Sequence, residues 1–239
     1  MTLLRTTNLT RHFSGITANK DVDFEIEPGE IRALIGPNGA GKTTFTSMLI
    51  GRLPPSSGTV HFEGADITAL PAFERVRLGM AYTFQITSVF ANLTVQENIH
   101  LATRRQMRAR DARLTSLTPA LLEQVGLAGR DTDLAADLSY GHQRLLEIAM
   151  GLAQNPKLLI LDEPTQGLAE SEVAAFKTLI RSLTPKTTIL LIEHNMGLVM
   201  ELADTITVLN AGETLAFGTP AEIQANAAVQ AAYLGTQDA

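Results

Sequence analysis

The stretch Gly36-Pro37-Asn38-Gly39-Ala40-Gly41-Lys42-Thr43-Thr44 combines residue types and spacing suited to holding phosphate. It follows the apolar run Ile31 to Ile35 and opens into Phe45, Met48 and Leu49, spaced as one face of a helix. Strand, glycine loop, Gly-Lys-Thr and helix match the phosphate-binding loop motif. Glycines let backbone N–H groups turn inward around an anion with no Cβ in the way. A helix starting at Lys42 aims its positive dipole end and its unpaired N–H groups at the same point. Lys42 adds a mobile full charge for the terminal phosphates, and the Thr43 hydroxyl is placed to hold Mg²⁺. The ligand these residues imply is a nucleoside triphosphate.

Three further stretches carry chemistry. In Leu158-Leu159-Ile160-Leu161-Asp162-Glu163-Pro164 an apolar strand ends in two carboxylates. Asp162 is expected beside the phosphate loop, holding Mg²⁺ through water. Glu163 is a natural general base for a water attacking the terminal phosphate. In Leu138-Ser139-Tyr140-Gly141-His142-Gln143, Ser139 precedes an amphipathic helix built on Leu145, Leu146, Ile148, Ala149 and Leu152. Ser139 fits an ordinary N-cap. The same geometry makes an anion site able to take a phosphate held by another molecule. Glu193-His194 ends the strand Thr187 to Ile192, and Gln85 ends its own strand. Each of these two is unremarkable alone; their weight comes from the order in which they occur.

The elements that must position these residues read as an α/β chain. Residues 3 to 9 and 20 to 27 alternate as strands, with the turn Arg11-His12-Phe13-Ser14-Gly15 between them. Thr59 to Phe62 and Met80 to Phe84 are expected strands, and Pro71 opens a short helix reaching Leu78. From about Val95 to Ala153 the pattern turns helical, with helices at Val95 to Met107, Pro119 to Val125 and Gln143 to Ala153. Strands at Leu158 to Leu161 and Thr187 to Ile192 are near-continuous apolar runs, as a parallel sheet covered on both faces requires. Helices at Val173 to Leu183 and Met196 to Ala203 alternate with them. Ile206 to Leu209 and Thr214 to Phe217 flank Asn210-Ala211-Gly212 as an antiparallel hairpin, and short helical pieces close the chain. The helical block therefore interrupts an α/β core as an inserted subdomain.

The 239 residues suffice for one large domain with an ample core. A net charge of −6 argues against a nucleic-acid partner, which needs a basic surface. The Arg104 to Arg113 cluster is the one basic candidate and reads first as a solvated helix face. The absence of cysteine excludes disulfides and thiol chemistry and is compatible with the cytoplasm. No apolar run approaches the roughly 20 residues of a spanning helix. Met1-Thr2-Leu3-Leu4-Arg5 lacks the apolar core of a secretory leader.

Phosphate loop, Gln85, Leu-Ser-x-Gly before a helix, apolar-Asp-Glu and His194, in that order, resemble the ATP-binding subunit of ATP-binding-cassette (ABC) transporters over nearly the whole chain. The resemblance implies a P-loop NTPase (RecA-like) fold: a mostly parallel sheet core, an antiparallel β subdomain and an inserted helical subdomain. It divides a single domain, 1–239, into a core of about 1–86 and 156–239 and a helical part of about 87–155 that carries the signature. It implies ATP and Mg²⁺ as ligands. Phe13 matches the aromatic that stacks on adenine, and Gln85 the glutamine that senses Mg²⁺ and the membrane subunit. Ser139 and Gly141 match the signature completing the ATP site of the opposing subunit, with His142 at its next position. Glu163 matches the base, His194 the switch on the γ-phosphate, and Thr43 and Asp162 the Mg²⁺ residues.

A narrower resemblance is to the branched-chain (hydrophobic) amino acid uptake group with its urea and amide relatives. It rests on Thr83-Phe84-Gln85 with Phe90 to Asn98, on Leu146-Glu147-Ile148-Ala149 and on Ile192-Glu193-His194-Asn195-Met196. Gly218 to Ile223 and Ala232-Tyr233-Leu234-Gly235 complete it. The implied partners are a second ATPase subunit (homo- or heterodimer), two membrane permeases near the segment from Gln85 through Phe90, and indirectly a solute-binding protein. The implied location is cytoplasmic, at the inner face of the plasma membrane. Tyr140 and His142 depart from the usual signature, and Leu168-Ala169 stands where the family commonly has an Asp; both are compatible with two unequal ATP sites. The rivals are an ABC ATPase acting on nucleic acid, which calls for tandem cassettes or a basic face, and a small-molecule kinase, which would lack the signature.

Overall fold

The computed structural model describes residues 2–83, 88–103 and 112–234. Gln85, the end of the expected strand at Phe84, Gly235 and most of the Arg104 to Arg113 cluster lie outside them. The chain opens with strands β1 (Leu4–Phe13), β2 (Ile16–Ile26) and β3 (Ile31–Ile35), then helix α1 (Lys42–Leu49). β4 (Ser57–Phe62), β5 (Ala65–Asp66), α2 (Ala72–Leu78) and β6 (Met80–Thr83) follow. The helical block holds α3 (Val95–Thr103), α4 (Ala112–Gln124) and α5 (Tyr140–Leu152). β7 (Leu158–Asp162), α6 (Glu170–Leu183), β8 (Thr188–Ile192), α7 (Met196–Leu202), β9 (Thr205–Asn210) and β10 (Glu213–Gly218) come next. The last described elements are α8 (Pro220–Ala225) and α9 (Ala227–Leu234).

Among the described residues the strands form two sheets, β2-β1-β4-β5 and β10-β9-β3-β8-β7-β6. The first is antiparallel. In the second, β9, β3, β8, β7 and β6 run parallel and β10 joins as an antiparallel edge. Every residue of β3, β7 and β8 is buried, because both faces of the sheet are covered. The side chains split with the period of two that a strand imposes. Leu159 and Leu161 join Leu146, Ile148 and Phe176 on the helical side, whereas Leu158 and Ile160 join Phe24 and Phe45 beneath the antiparallel sheet. Parallel register puts the ends of β3, β8 and β7 at one edge of the sheet, which is where open α/β sheets bind ligands.

Several boundaries differ from expectation. β1 and β2 run on to a tight turn at Ser14 and Gly15, so Arg11 to Phe13 is strand and not turn. Bulges in the pairing disturb the alternation there, which hides the strands from pattern reading. Pro119 lies inside α4 instead of opening it. Burial of Leu121 and Leu122 on that helix, and of Val125 just past its end, offsets the hydrogen bond that proline cannot make. α5 likewise starts at Tyr140, three residues before the expected Gln143, and Ser139 is its N-cap.

Candidate functional site

The loop from Gly36 to Thr44 joins β3 to α1, and α1 begins at Lys42 as its dipole role demands. Gly41 is left-handed at φ 94°, and a Cβ there would lie 2.5 Å from Ala18 O. Only glycine fits. The loop is held from outside, since the Gly212 amide of the β9–β10 turn donates to Ala40 O at 3.1 Å. The Lys42 ammonium donates to Gly36 O at 2.6 Å and to Pro37 O at 3.1 Å. Burial pulls its pKa below the ordinary value, and the charges of Glu163 and Asp162 oppose that. An open cleft of about 560 Å³ is lined by Asn38 to Thr44, Glu163, Ala211 and Ile16 to Ala18.

Behind Gly41 sits Asn19, fully buried, with neither amide nitrogen nor oxygen hydrogen-bonded among the described residues. A buried carboxamide in that state costs free energy. Asn19→Leu is therefore expected to stabilise the chain by about 1–2 kcal/mol. Thermal melting of the variant checks this, and a lower Tm would mean that the carboxamide has a partner such as a bound water.

Asp162 ends β7 and is buried, and Tyr82 donates its hydroxyl to Asp162 Oδ2 at 2.5 Å. Burial pushes the Asp162 carboxyl above its ordinary range, helped by the charge of Glu163; the Tyr82 hydrogen bond and the Arg144 and Lys42 charges pull the other way. Glu163 adopts a left-handed φ of 46°, uncommon for a residue with a side chain. Its amide donates to Ile192 O at 2.9 Å, and His194 Nδ1 stands 3.8 Å from its Oε1. That separation places His194 beside Glu163, and the His194 side chain itself is largely exposed.

The residues that hold this corner were not evident from sequence. Arg144 of α5 is wholly buried and donates to the carbonyls of Asp162 at 3.0 Å, Glu163 at 2.8 Å and Pro164 at 3.3 Å. Its charge is balanced by Glu147 at 2.8 Å, one helical turn on. The helix that carries the Ser139 turn is thus fastened directly to the Asp162-Glu163 corner. Glu193, quoted in the sequence only as the neighbour of His194, is buried and accepts from the Thr165 amide and hydroxyl and from the His194 amide. A charged residue directly after a near-continuous apolar strand is the one sequence signal that pointed to it.

Ser139 accepts from the His142 amide at 3.2 Å, so the N-cap reading holds. Ser139 and Tyr140 are nonetheless exposed, and neither they nor Gly141 and His142 line the cleft of their own chain. The Tyr140 ring covers Gly167, where a Cβ would come within 3.0 Å of it. Phe13 stands at the hairpin end opposite Ile16, 41% exposed, with the Arg11 guanidinium 4.7 Å over its ring. It is not itself a wall of the cleft.

Thr43 and Asp162 offer hard oxygen donors, and among the described residues no cluster of three or more His, Cys, Asp or Glu could hold a metal by itself. So sparse a set suits Mg²⁺, which keeps several waters and takes its remaining ligands from phosphates. No helix among the described residues is long and apolar enough to cross a membrane.

A family model described as "ABC transporter" matches residues 19–166, and one described as "Branched-chain amino acid ATP-binding cassette transporter" matches residues 213–239. The chain is 40% identical, over 98% of its length and 98% of the relative's, to the high-affinity branched-chain amino acid transport ATP-binding protein LivG of Escherichia coli K12. It is 38% identical, with the same coverage, to the corresponding protein BraF of Pseudomonas aeruginosa. A solved nucleotide-free ATP-binding cassette from an ABC transporter superposes with a TM-score of 0.89 at 27% identity, covering 98% of this chain and 99% of that one. By these matches the chain belongs to the ABC transporter family as an ATP-binding, ATP-hydrolysing cassette.

Proposed function

We propose that this cassette powers uptake of a small solute, branched-chain amino acids or a related compound, through separate permease subunits at the inner face of the plasma membrane. Its site works as half of a pair. The carrying observation is that Lys42 and Glu163 share one cleft while the exposed Ser139 turn lies outside it. A second ATPase subunit, identical or related, brings its own signature over the bound nucleotide. The helical part of about 87–155 acts as the subdomain presenting Ser139, Gly141 and His142, and Phe13 offers its exposed ring to the adenine.

The chain's residues divide the labour. Free backbone N–H groups of the loop that leads into α1 and the Lys42 ammonium hold the phosphates. Thr43 and Asp162 would hold Mg²⁺, which when bound neutralises charge on the phosphate oxygens. Glu163 orients the attacking water and accepts its proton, and His194 stands beside it to contact the terminal phosphate. Each nucleotide touches both subunits, so binding favours the closed pair and hydrolysis releases it.

Support for the solute class comes from LivG and BraF and from the match over residues 213–239. These relatives lend nothing to a cassette acting on nucleic acid. The test is uptake of labelled leucine into vesicles holding this chain with the permeases encoded beside it and their binding protein. ATP-dependent accumulation that is lost with Lys42→Ala is expected. Accumulation that ignores ATP, or that runs equally with Lys42→Ala, would refute the assignment.

A further inference from the structure

The Asp162 carboxylate is held by a residue from the neighbouring strand. In the parallel pairing of β6 with β7, Tyr82 lies opposite Ile160, and Asp162 follows two positions on. The period of two therefore turns Tyr82, Ile160 and Asp162 to one face of the sheet, the side occupied by Phe45 and Met48 of α1. Tyr82 packs against that cluster and donates its hydroxyl to Asp162 Oδ2 at 2.5 Å. The main chain of Asp162 is fixed separately, by the Arg144 guanidinium on its carbonyl at 3.0 Å. Thr43, the other hard oxygen donor, is the second residue of α1. Tyr82 thus joins the buried side of the helix that carries Thr43 to the carboxylate at the end of β7.

We propose that Tyr82 is a positioning residue for the metal, holding the Asp162 carboxylate in the orientation in which it and Thr43 take Mg²⁺. The last torsion of an aspartate has a broad energy well, so its oxygens wander unless a partner fixes them. Mg²⁺ demands near-ideal octahedral geometry and is bound less well by a wandering ligand. A group that hydrogen-bonds to a metal's carboxylate orients it, and its loss typically costs about 10- to 100-fold in metal affinity. The phenol supplies that hydrogen bond as a donor. The effect therefore falls on the metal and spares the hold of Lys42 and the phosphate loop on the nucleotide itself.

The inference rests on Thr43 and Asp162 holding the metal, and the test keeps the two apart. Tyr82→Phe retains the ring and removes the hydroxyl. It is made in chains carrying Glu163→Gln, so that ATP persists during the measurement. Mn²⁺ serves as the probe, because it accepts the same carboxylate and water ligands and its free ion gives a paramagnetic resonance signal. With chain in excess over ATP, the Kd of Mn²⁺ for the nucleotide-bound chain is expected to rise about ten-fold in Tyr82→Phe. The Kd of a fluorescent ATP analogue in EDTA should stay within about two-fold of the parent, a split that a structural role alone would not give. With Glu163 intact, the Mg²⁺ concentration for half-maximal turnover should rise by a similar factor, while kcat at saturating Mg²⁺ stays within about two-fold. Asp162→Asn is measured alongside. Unchanged Mn²⁺ affinity in Tyr82→Phe, with Mn²⁺ binding weakened in Asp162→Asn, would overturn the proposal and leave the metal site standing. Equal weakening of the ATP analogue with and without metal would assign Tyr82 to the phosphate loop and overturn it as well. Parental Mn²⁺ affinity in Asp162→Asn would remove the metal site and this inference together.

Discussion

Glu163→Gln is expected to lower ATP turnover by about 10²- to 10⁴-fold, the range carried by a positioned general base. The amide keeps nearly the same volume and cannot accept the proton of the attacking water. The backbone geometry survives, because Glu163 is fixed through its amide to Ile192 O and through its carbonyl to Arg144. ATP binding should therefore persist, and the nucleotide-bound pair should accumulate instead of turning over. Steady-state phosphate release together with size-exclusion in ATP checks both halves. Residual turnover above about a tenth of the parent's rate would assign the base elsewhere.

Arg144→Met is the second large effect, and it acts on stability and activity together. It leaves the buried Glu147 carboxylate without its ion-pair partner and takes the guanidinium donor from the carbonyls of Asp162, Glu163 and Pro164. Breaking one side of a buried pair costs about 3–5 kcal/mol. For a chain of this size that lowers Tm by about 6–20 °C. Turnover should fall as well, because the Asp162-Glu163 corner loses its tie to the helix bearing Ser139. Arg144→Met combined with Glu147→Met separates the causes, since the double change removes the stranded charge. Recovery of Tm without recovery of turnover is expected; a double variant as unstable as the single one would mean that the ion pair is not the source of the loss.

What the sequence disclosed follows from how local the physics is. The phosphate loop was legible because its chemistry lies in nine adjacent residues, Gly36 to Thr44, flanked by a strand and a helix. β3, β7 and β8 were legible because a strand covered on both faces must be near-continuously apolar. Asp162 and Glu163 inherited their position from β7. What stayed hidden depends on distance along the chain. Tyr82 and Asp162 are 80 residues apart, and nothing in either neighbourhood predicts that they meet. Arg144 reads as one more polar residue on an amphipathic helix until its guanidinium is seen among the carbonyls of the Asp-Glu corner.

The measurement that bears most directly on the half-site is cross-linking between subunits. The chain has no cysteine, so each introduced thiol is unique. Chains with Glu163→Gln and Asn38→Cys are mixed with chains carrying Glu163→Gln and Ser139→Cys, and oxidised with and without ATP. The account predicts a disulfide-linked dimer that forms in the mixture only with ATP. A chain bearing both cysteine substitutions that closes an internal disulfide in ATP, and remains monomeric, would contradict it.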